Sequence, residues 1–404
     1  MLFQSFQFSN GVTAKNRFFK SAMEEQLAKQ NRVSKKLVKL YDVWAKGGAG
    51  VLVTGNVMIS ENGKGSPDDV VLENDSDLPM LQKWAQAGTQ NNTLLIMQIN
   101  HAGKQSPKAL SPEPVAPSAI GLQGMEAFFN TPRALRDDEI RALIAQFAKT
   151  AQIAEKAGFS GVQIHAAHGY LISQFLSPHH NRRDDEWGGS LENRMRFLVE
   201  IYQAIRSSVS TNFLVGVKLN SADFQKGGFD EEQSTQVMAK LSELGIDFIE
   251  ISGGNYESPE MLSTKPSSQK REAFFLDYAK KARAVSKAPL IITGGFRSEA
   301  AMNDALTSGD LDLVGVARPF ALVPDLPNQI QNKTYKTVEL KAIRTGVNAI
   351  DAKMGGILEM GWYMYQMKRI GSGSKPCKCV TAWNILLRMV WQNGKAGLQS
   401  SRVK

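Results

Sequence analysis

Eight short apolar runs recur along this chain, each followed by a longer stretch of helical spacing, and that alternation restricts the fold more than any other feature. The runs are Arg17–Lys20, Val51–Asn56, Leu94–Asn100, Gly161–Ala166, Leu214–Asn220, Asp247–Ser252, Pro289–Thr293 and Asp312–Ala317. Between them lie the amphipathic stretches Lys35–Lys46, Ser76–Gln90, Asp137–Ala157, Leu191–Ser208, Asp230–Leu244, Arg271–Ser286 and Ser298–Ser308. Strand-sized runs alternating with helix-sized ones predict βα units on a parallel sheet.

Several helices mark their own ends. Asp230 and Ser298, each followed by acids, stand where a capping side chain and negative charge satisfy orphan N–H groups. Gly158, Gly245 and Gly309 stand where helices should stop. So many units without a long interruption fit a closed barrel better than an open doubly wound sheet, which would also carry a glycine fingerprint at its first helix. The segment Phe18 to Met23 holds no glycine. The expectation is an α/β chain: a (β/α)8 TIM barrel over residues 1–335 with a basic, helical C-terminal extension over 336–404.

Charge separates these two parts. From Gln331 onward there are 13 Lys and Arg against 3 acids, leaving 35 bases against 36 acids before it, so the net charge of +9 belongs to the tail. A nearly neutral body argues against a nucleic-acid enzyme. In the tail, Met354–Met367 is rich in aromatics and methionine, and Trp383–Gln392 is apolar around Arg388. Such helices are expected to pack over the barrel or against another subunit of a homo-oligomer; a basic amphipathic helix also suits a membrane surface or a partner. With no secretory pattern at the start and no apolar run of about 18 residues, the expectation is a soluble, cytoplasmic protein. Cys377 and Cys379, two apart, read as reduced thiols.

Polar groups gather where the runs end. Gly161–Ala166 leads into His165, His168 and Tyr170, followed by the stretch SPHHNRRDDEWGGSLENR; Leu94–Asn100 leads into a Pro- and Gly-rich connection from His101 to Arg136. Long ordered connections at the C-terminal rim of a barrel build active sites. The other ends supply Ser21, Ala22, Met23 and Glu24, then Gly55, Gln98, Lys218, the pair Gly294-Gly295, and Ala317-Arg318. Glycines after the last strands let backbone N–H groups approach an anion, which implies an oxyanion cofactor. Taken singly these signals are weak. A histidine pair is structural or half a metal site, Lys218 a solvated strand end or a Schiff-base amine, and Gly294-Gly295 a turn.

Taken together they resemble one family. Asn16-Arg17 with Ser21-Ala22-Met23, Gln98 with His101-Ala102-Gly103, HAAHGY, the long SPHHNRRDDEWGGSLENR, Lys218, Gly294-Gly295 and Ala317-Arg318 are similar to the motifs of the Old Yellow Enzyme family of flavin-dependent NAD(P)H oxidoreductases, over about residues 1–330. With no cysteine between Pro319 and Lys375, the resemblance is to the short form without an iron–sulfur cluster.

The resemblance implies FMN across the barrel mouth and NAD(P)H as hydride donor. Ala22 and Met23 would contact the ring, with Ser21 and Gly55 nearby; Gln98 would bond the pyrimidine edge, and Lys218 would face N1–C2, where reduced flavin is negative. Gly294, Gly295, Ala317 and Arg318 would hold the phosphate. His165 and His168 would bond the carbonyl of an α,β-unsaturated small molecule, and Tyr170 would protonate its α-carbon. No metal is implied. Glu24 departs from the family, whose members commonly carry Thr or Cys beside the ring; burial would favour its protonated form. Two other readings stay open: a flavin-free barrel lyase or aldolase using Lys218 or a His165/His168 metal site, and a flavin-binding scaffold acting through its tail.

Overall fold

A computed structural model of the chain describes residues 1–254, 268–340 and 342–397, with side chains undescribed at 268–276 and 392–397. Eight parallel strands close a barrel: β1 (Phe18–Lys20), β2 (Val51–Met58), β3 (Leu94–Asn100), β4 (Gly161–Ala166), β5 (Leu214–Asn220), β6 (Phe248–Ser252), β7 (Leu290–Thr293) and β8 (Leu313–Val316). Val314 of β8 pairs with Phe18 of β1, and Phe19 of β1 with Val51 of β2, so no edge is left open. Each run anticipated from sequence is a barrel strand, shifted by at most two residues.

Around the barrel lie α1 (Lys35–Lys46), α2 (Leu78–Gly88), α3 (Asp137–Ala157), α4 (Leu191–Ser208), α5 (Glu231–Glu243), α6 (Ser268–Val285), α7 (Glu299–Thr307) and the short α8 (Arg318–Leu322). The anticipated caps form. Asp230 accepts from the Gln233 amide, Ser298 from the Ala301 amide, and Gly158 closes α3 in the left-handed region at φ 92°. Tyr41, Trp44 and Trp84 are fully buried between α1, α2 and the strands, each contributing about 2–3 kcal/mol through apolar burial.

Two cores result. One lies between strands and helices. The other fills the N-terminal half of the barrel interior with Phe19, Val51, Leu214, Phe248 and Leu313, and Phe8 of the hairpin Phe6–Gln7/Thr13–Ala14 plugs it from below. Gly216 faces the Phe248 ring so closely that an added Cβ would overlap it. With the lower barrel filled, the C-terminal mouth is the open end of the barrel interior among the described residues.

The extension forms α9 (Asn348–Gly371) and α10 (Ala382–Gly397). α9 packs on α1 and α8, burying Leu358, Trp362, Tyr363, Met367 and Ile370. α10 rests on α9 through Ala382 and Ile385, with Trp383, Leu387 and Trp391 exposed. No helix among the described residues is long and apolar enough to cross a membrane.

One expectation is corrected here. Cys377 and Cys379 are joined in a disulfide, because the chain turns between α9 and α10 and brings their Cα atoms to 5.4 Å, inside the bridging range.

Candidate active site

A polar network crosses the barrel just below its mouth. Glu250 of β6 is fully buried, and its carboxylate lies 3.1 Å from Lys218 Nζ of β5. It also accepts from Gln163 Nε2 and from the Thr293 hydroxyl, each at 2.7 Å. Gln163 Oε1 in turn accepts from Gln98 Nε2 at 2.7 Å. Since Thr293 donates to Glu250, the 2.5 Å contact between the Ser21 and Thr293 hydroxyls is donated by Ser21. One carboxylate therefore gathers Ser21, Gln98 and Lys218 from three well-separated strand ends. It also pairs the Lys218 ammonium, which a Schiff-base role would require to be free.

Above this layer stand the imidazoles and the phenol. The ring centroid of His165 is 5.2 Å from that of His168 and 4.9 Å from that of Tyr170. Burial, then the His168 ring and the Lys218 charge, hold His165 well below the usual imidazole range; burial and Lys218 do the same to His168. Both rings are therefore neutral near pH 7. His165 Nδ1 accepts from the Ala167 amide at 3.3 Å, so its proton sits on Nε2, leaving that N–H as a donor. His168 Nε2 meets the Ser252 hydroxyl at 2.7 Å, and its backbone amide donates to Asn220 Oδ1 at 3.2 Å. His168 has φ 61°, a left-handed backbone rare for such a residue and concentrated at functional sites.

Tyr170 is buried against Ala102, Leu122, Met125 and Phe129. All four come from the 101–136 connection, which thus roofs the site. That connection is pinned through Lys104, whose Nζ lies 2.9 Å from His180 Nδ1, while Asn181 holds the second long loop by donating to the Phe175 and Trp187 carbonyls. Within that loop Asp185 also accepts from the Arg183 side chain and the Trp187 amide.

Ala22 and Met23 follow β1 and are half-buried. Gly55 donates its amide to Glu25 Oε1 at 3.0 Å, with Glu25 also accepting from Tyr41. The buried carboxyl of the acidic pair is thus Glu25, which burial pushes up. Glu24 is half-buried, accepts from Gln26 at 2.7 Å and lines a cavity with Gly55 and Asn56.

After β7, Gly294 and Gly295 have φ of 144° and 84°, conformations that only glycine adopts readily and that leave their amides unscreened by a Cβ. Ala317 caps α8, and Arg318 begins it with its side chain 32% exposed, able to reach an anion. A buried amide and cation on one side of the mouth, with paired glycines and an arginine on the other, fit the ring and phosphate of FMN. Sequence reading missed Gln163, Glu250, Thr293, Asn220 and Ser252. All lie on or just after a strand whose inward positions alternate with core residues, and only the barrel's closure makes them neighbours.

Comparison with known proteins identifies the family. The NADH:flavin oxidoreductase / NADH oxidase family matches residues 1–337. A relative from Hypocrea jecorina, named an NADH-dependent flavin oxidoreductase, is 38% identical over 79% of this chain and 86% of its own length. A relative of the same name from Neonectria is 39% identical over 78% of the chain, which spans only 45% of that longer protein. The solved Old Yellow Enzyme homologue from Zymomonas mobilis superposes with a TM-score of 0.70 at 29% identity, over 84% of this chain and 94% of that one. The chain belongs to the NADH:flavin oxidoreductase / NADH oxidase family and is an FMN-dependent NAD(P)H oxidoreductase of the Old Yellow Enzyme type.

Proposed function

We propose that this enzyme reduces the activated C=C bond of small α,β-unsaturated carbonyl-type acceptors. The observation that carries this reading is the neutral His165 with its proton on Nε2, packed against Tyr170 and His168. A neutral N–H donor polarises a carbonyl without surrendering its proton, and it stabilises the enolate oxygen as charge develops there. Tyr170, whose ring packs against His165, carries the phenolic O–H that supplies the α-proton once that carbanion character appears. Bound FMN supplies the hydride that NAD(P)H delivers. Lys218 and Gln98 would hold its pyrimidine edge, Ser21, Ala22, Met23 and Gly55 its ring, and Gly294, Gly295, Ala317 and Arg318 its phosphate. Glu24 would stand beside the ring and tune its potential.

The division at residue 335 is supported by the end of the family match at 337. The barrel part carries the chemistry and binds small molecules. Anaerobic mixing with NADH, then with cyclohexenone, tests the reading: the yellow colour should bleach and then return as the saturated ketone forms. Return of colour with oxygen but with no enone in a panel would overturn it.

A further inference from the structure

The phosphate-side arginine is held by a residue outside the barrel. Arg318 Nη1 donates to Glu359 Oε1 at 2.7 Å, and Glu359 belongs to α9, beyond the last family-matched residue, 337. The Glu359 side chain is only 11% exposed, and its Oε2 is buried with no hydrogen-bond partner among the described residues, so the carboxylate is kept from water largely for this one contact. The Tyr363 ring, one turn on, lies 6.0 Å from the Arg318 guanidinium carbon. α9 cannot shift freely, since Trp362 and Tyr363 are buried and Trp362 Nε1 donates to the Val380 carbonyl at 2.8 Å.

A long arginine side chain has many rotamers, and confining it before a ligand arrives raises affinity by removing that ordering cost from the binding step. The guanidinium carries five N–H donors; one edge given to a carboxylate leaves the others for an oxyanion. We infer that Glu359 is a positioning residue for the cofactor phosphate, so that the C-terminal extension is part of the FMN site. The inference rests on the assignment of Arg318 to the phosphate. Coupling of this kind is reciprocal: if docking of α9 favours FMN, FMN must favour docking of α9.

Riboflavin, which lacks the phosphate, separates positioning from mere support of the fold. Dissociation constants for FMN and riboflavin are measured by flavin fluorescence on the full-length wild type, Glu359→Ala, Glu359→Gln and Arg318→Ala. Glu359→Ala should weaken FMN roughly ten-fold, the loss of a charge-assisted contact, and leave riboflavin unchanged, while Glu359→Gln, which keeps the acceptor and the shape, recovers most of the FMN affinity. Equal loss for both flavins, or unchanged or tighter FMN binding, overturns the role of Glu359 while leaving the phosphate assignment standing. If Arg318→Ala leaves the FMN-to-riboflavin preference intact, the phosphate assignment itself fails. Should Glu359→Ala not fold, the wild type still decides: amide exchange across residues 355–371 should slow with FMN and not with riboflavin, and the absence of that difference overturns the coupling.

Discussion

Lys218 and Glu250 form an ion pair sealed inside the barrel, 3.1 Å apart, with the carboxylate fully buried. The pairing sets how much positive charge the lysine presents at the mouth. A compensated ammonium stabilises a reduced, anionic flavin less than a bare one. Glu250→Gln keeps the shape and an acceptor while removing the compensation. The flavin midpoint potential should rise by roughly 30 mV, about 1.4 kcal/mol over two electrons. Dye-equilibration titration reads this directly, and an unchanged or lower potential would count against Lys218 facing the ring.

Tyr170→Phe should separate the two half-reactions. In the proposed function the phenol acts only on the acceptor, so flavin reduction by NADH should keep its rate while enone reduction slows by roughly 10²- to 10⁴-fold. Stopped-flow traces of each half would show it. Equal slowing of both would mean that the ring only shapes the pocket, in which it is buried against Leu122 and Phe129.

Four of the chain's histidines, three buried and His168 half-buried, are held below the ordinary range mainly by desolvation: His101 at about 4, His180 at about 2, and His165 and His168 well below it. In the unfolded chain each titrates near 6.5. Below that pH the unfolded chain takes up protons that the folded one refuses, so stability present above about pH 6.5 is lost as pH falls, by up to about 1.4 kcal/mol per unit for each histidine. Glu25, Asp223 and Asp247, whose carboxyls burial raises, act with the opposite sign, gaining stability as pH falls toward the ordinary carboxylate range, and so offset part of this loss. Urea midpoints should therefore decline most steeply between about pH 6.5 and 5. A flat profile there would contradict the buried, neutral state of these rings.

Gly216→Ala would place a methyl group in the Phe248 ring inside the barrel. Overpacking of this kind costs about 1–3 kcal/mol. Adding Phe248→Leu should recover part of the loss in urea denaturation, because the clash and not the glycine's backbone freedom is responsible. No recovery would show that the interior yields elsewhere.

The barrel was legible because each strand carries its own local signal. Val51–Met58 and Leu214–Asn220 are apolar runs bounded by breakers, and Gly158 or Ser298 mark helix ends by their own chemistry. Gly294-Gly295 and HAAHGY stood out in the same way. Glu250 did not: within Phe248–Ser252 it is one acid among apolar neighbours, and its meaning lies in Lys218, Gln163 and Thr293, on three other strands. Glu359 was hidden for a similar reason, since nothing near it in sequence points to Arg318, 41 positions away. The cysteine pair misled because spacing alone says nothing of the turn that brings Cys377 and Cys379 together.

The 101–136 connection lays Leu122, Met125 and Phe129 over Tyr170, while the imidazoles and Lys218 sit on barrel strands or just beyond them. In the proposed function, which acceptors enter and how they react are thus entrusted to different stretches of chain. Random mutagenesis confined to that canopy should yield variants that accept bulkier or slimmer molecules while keeping the same redox machinery underneath.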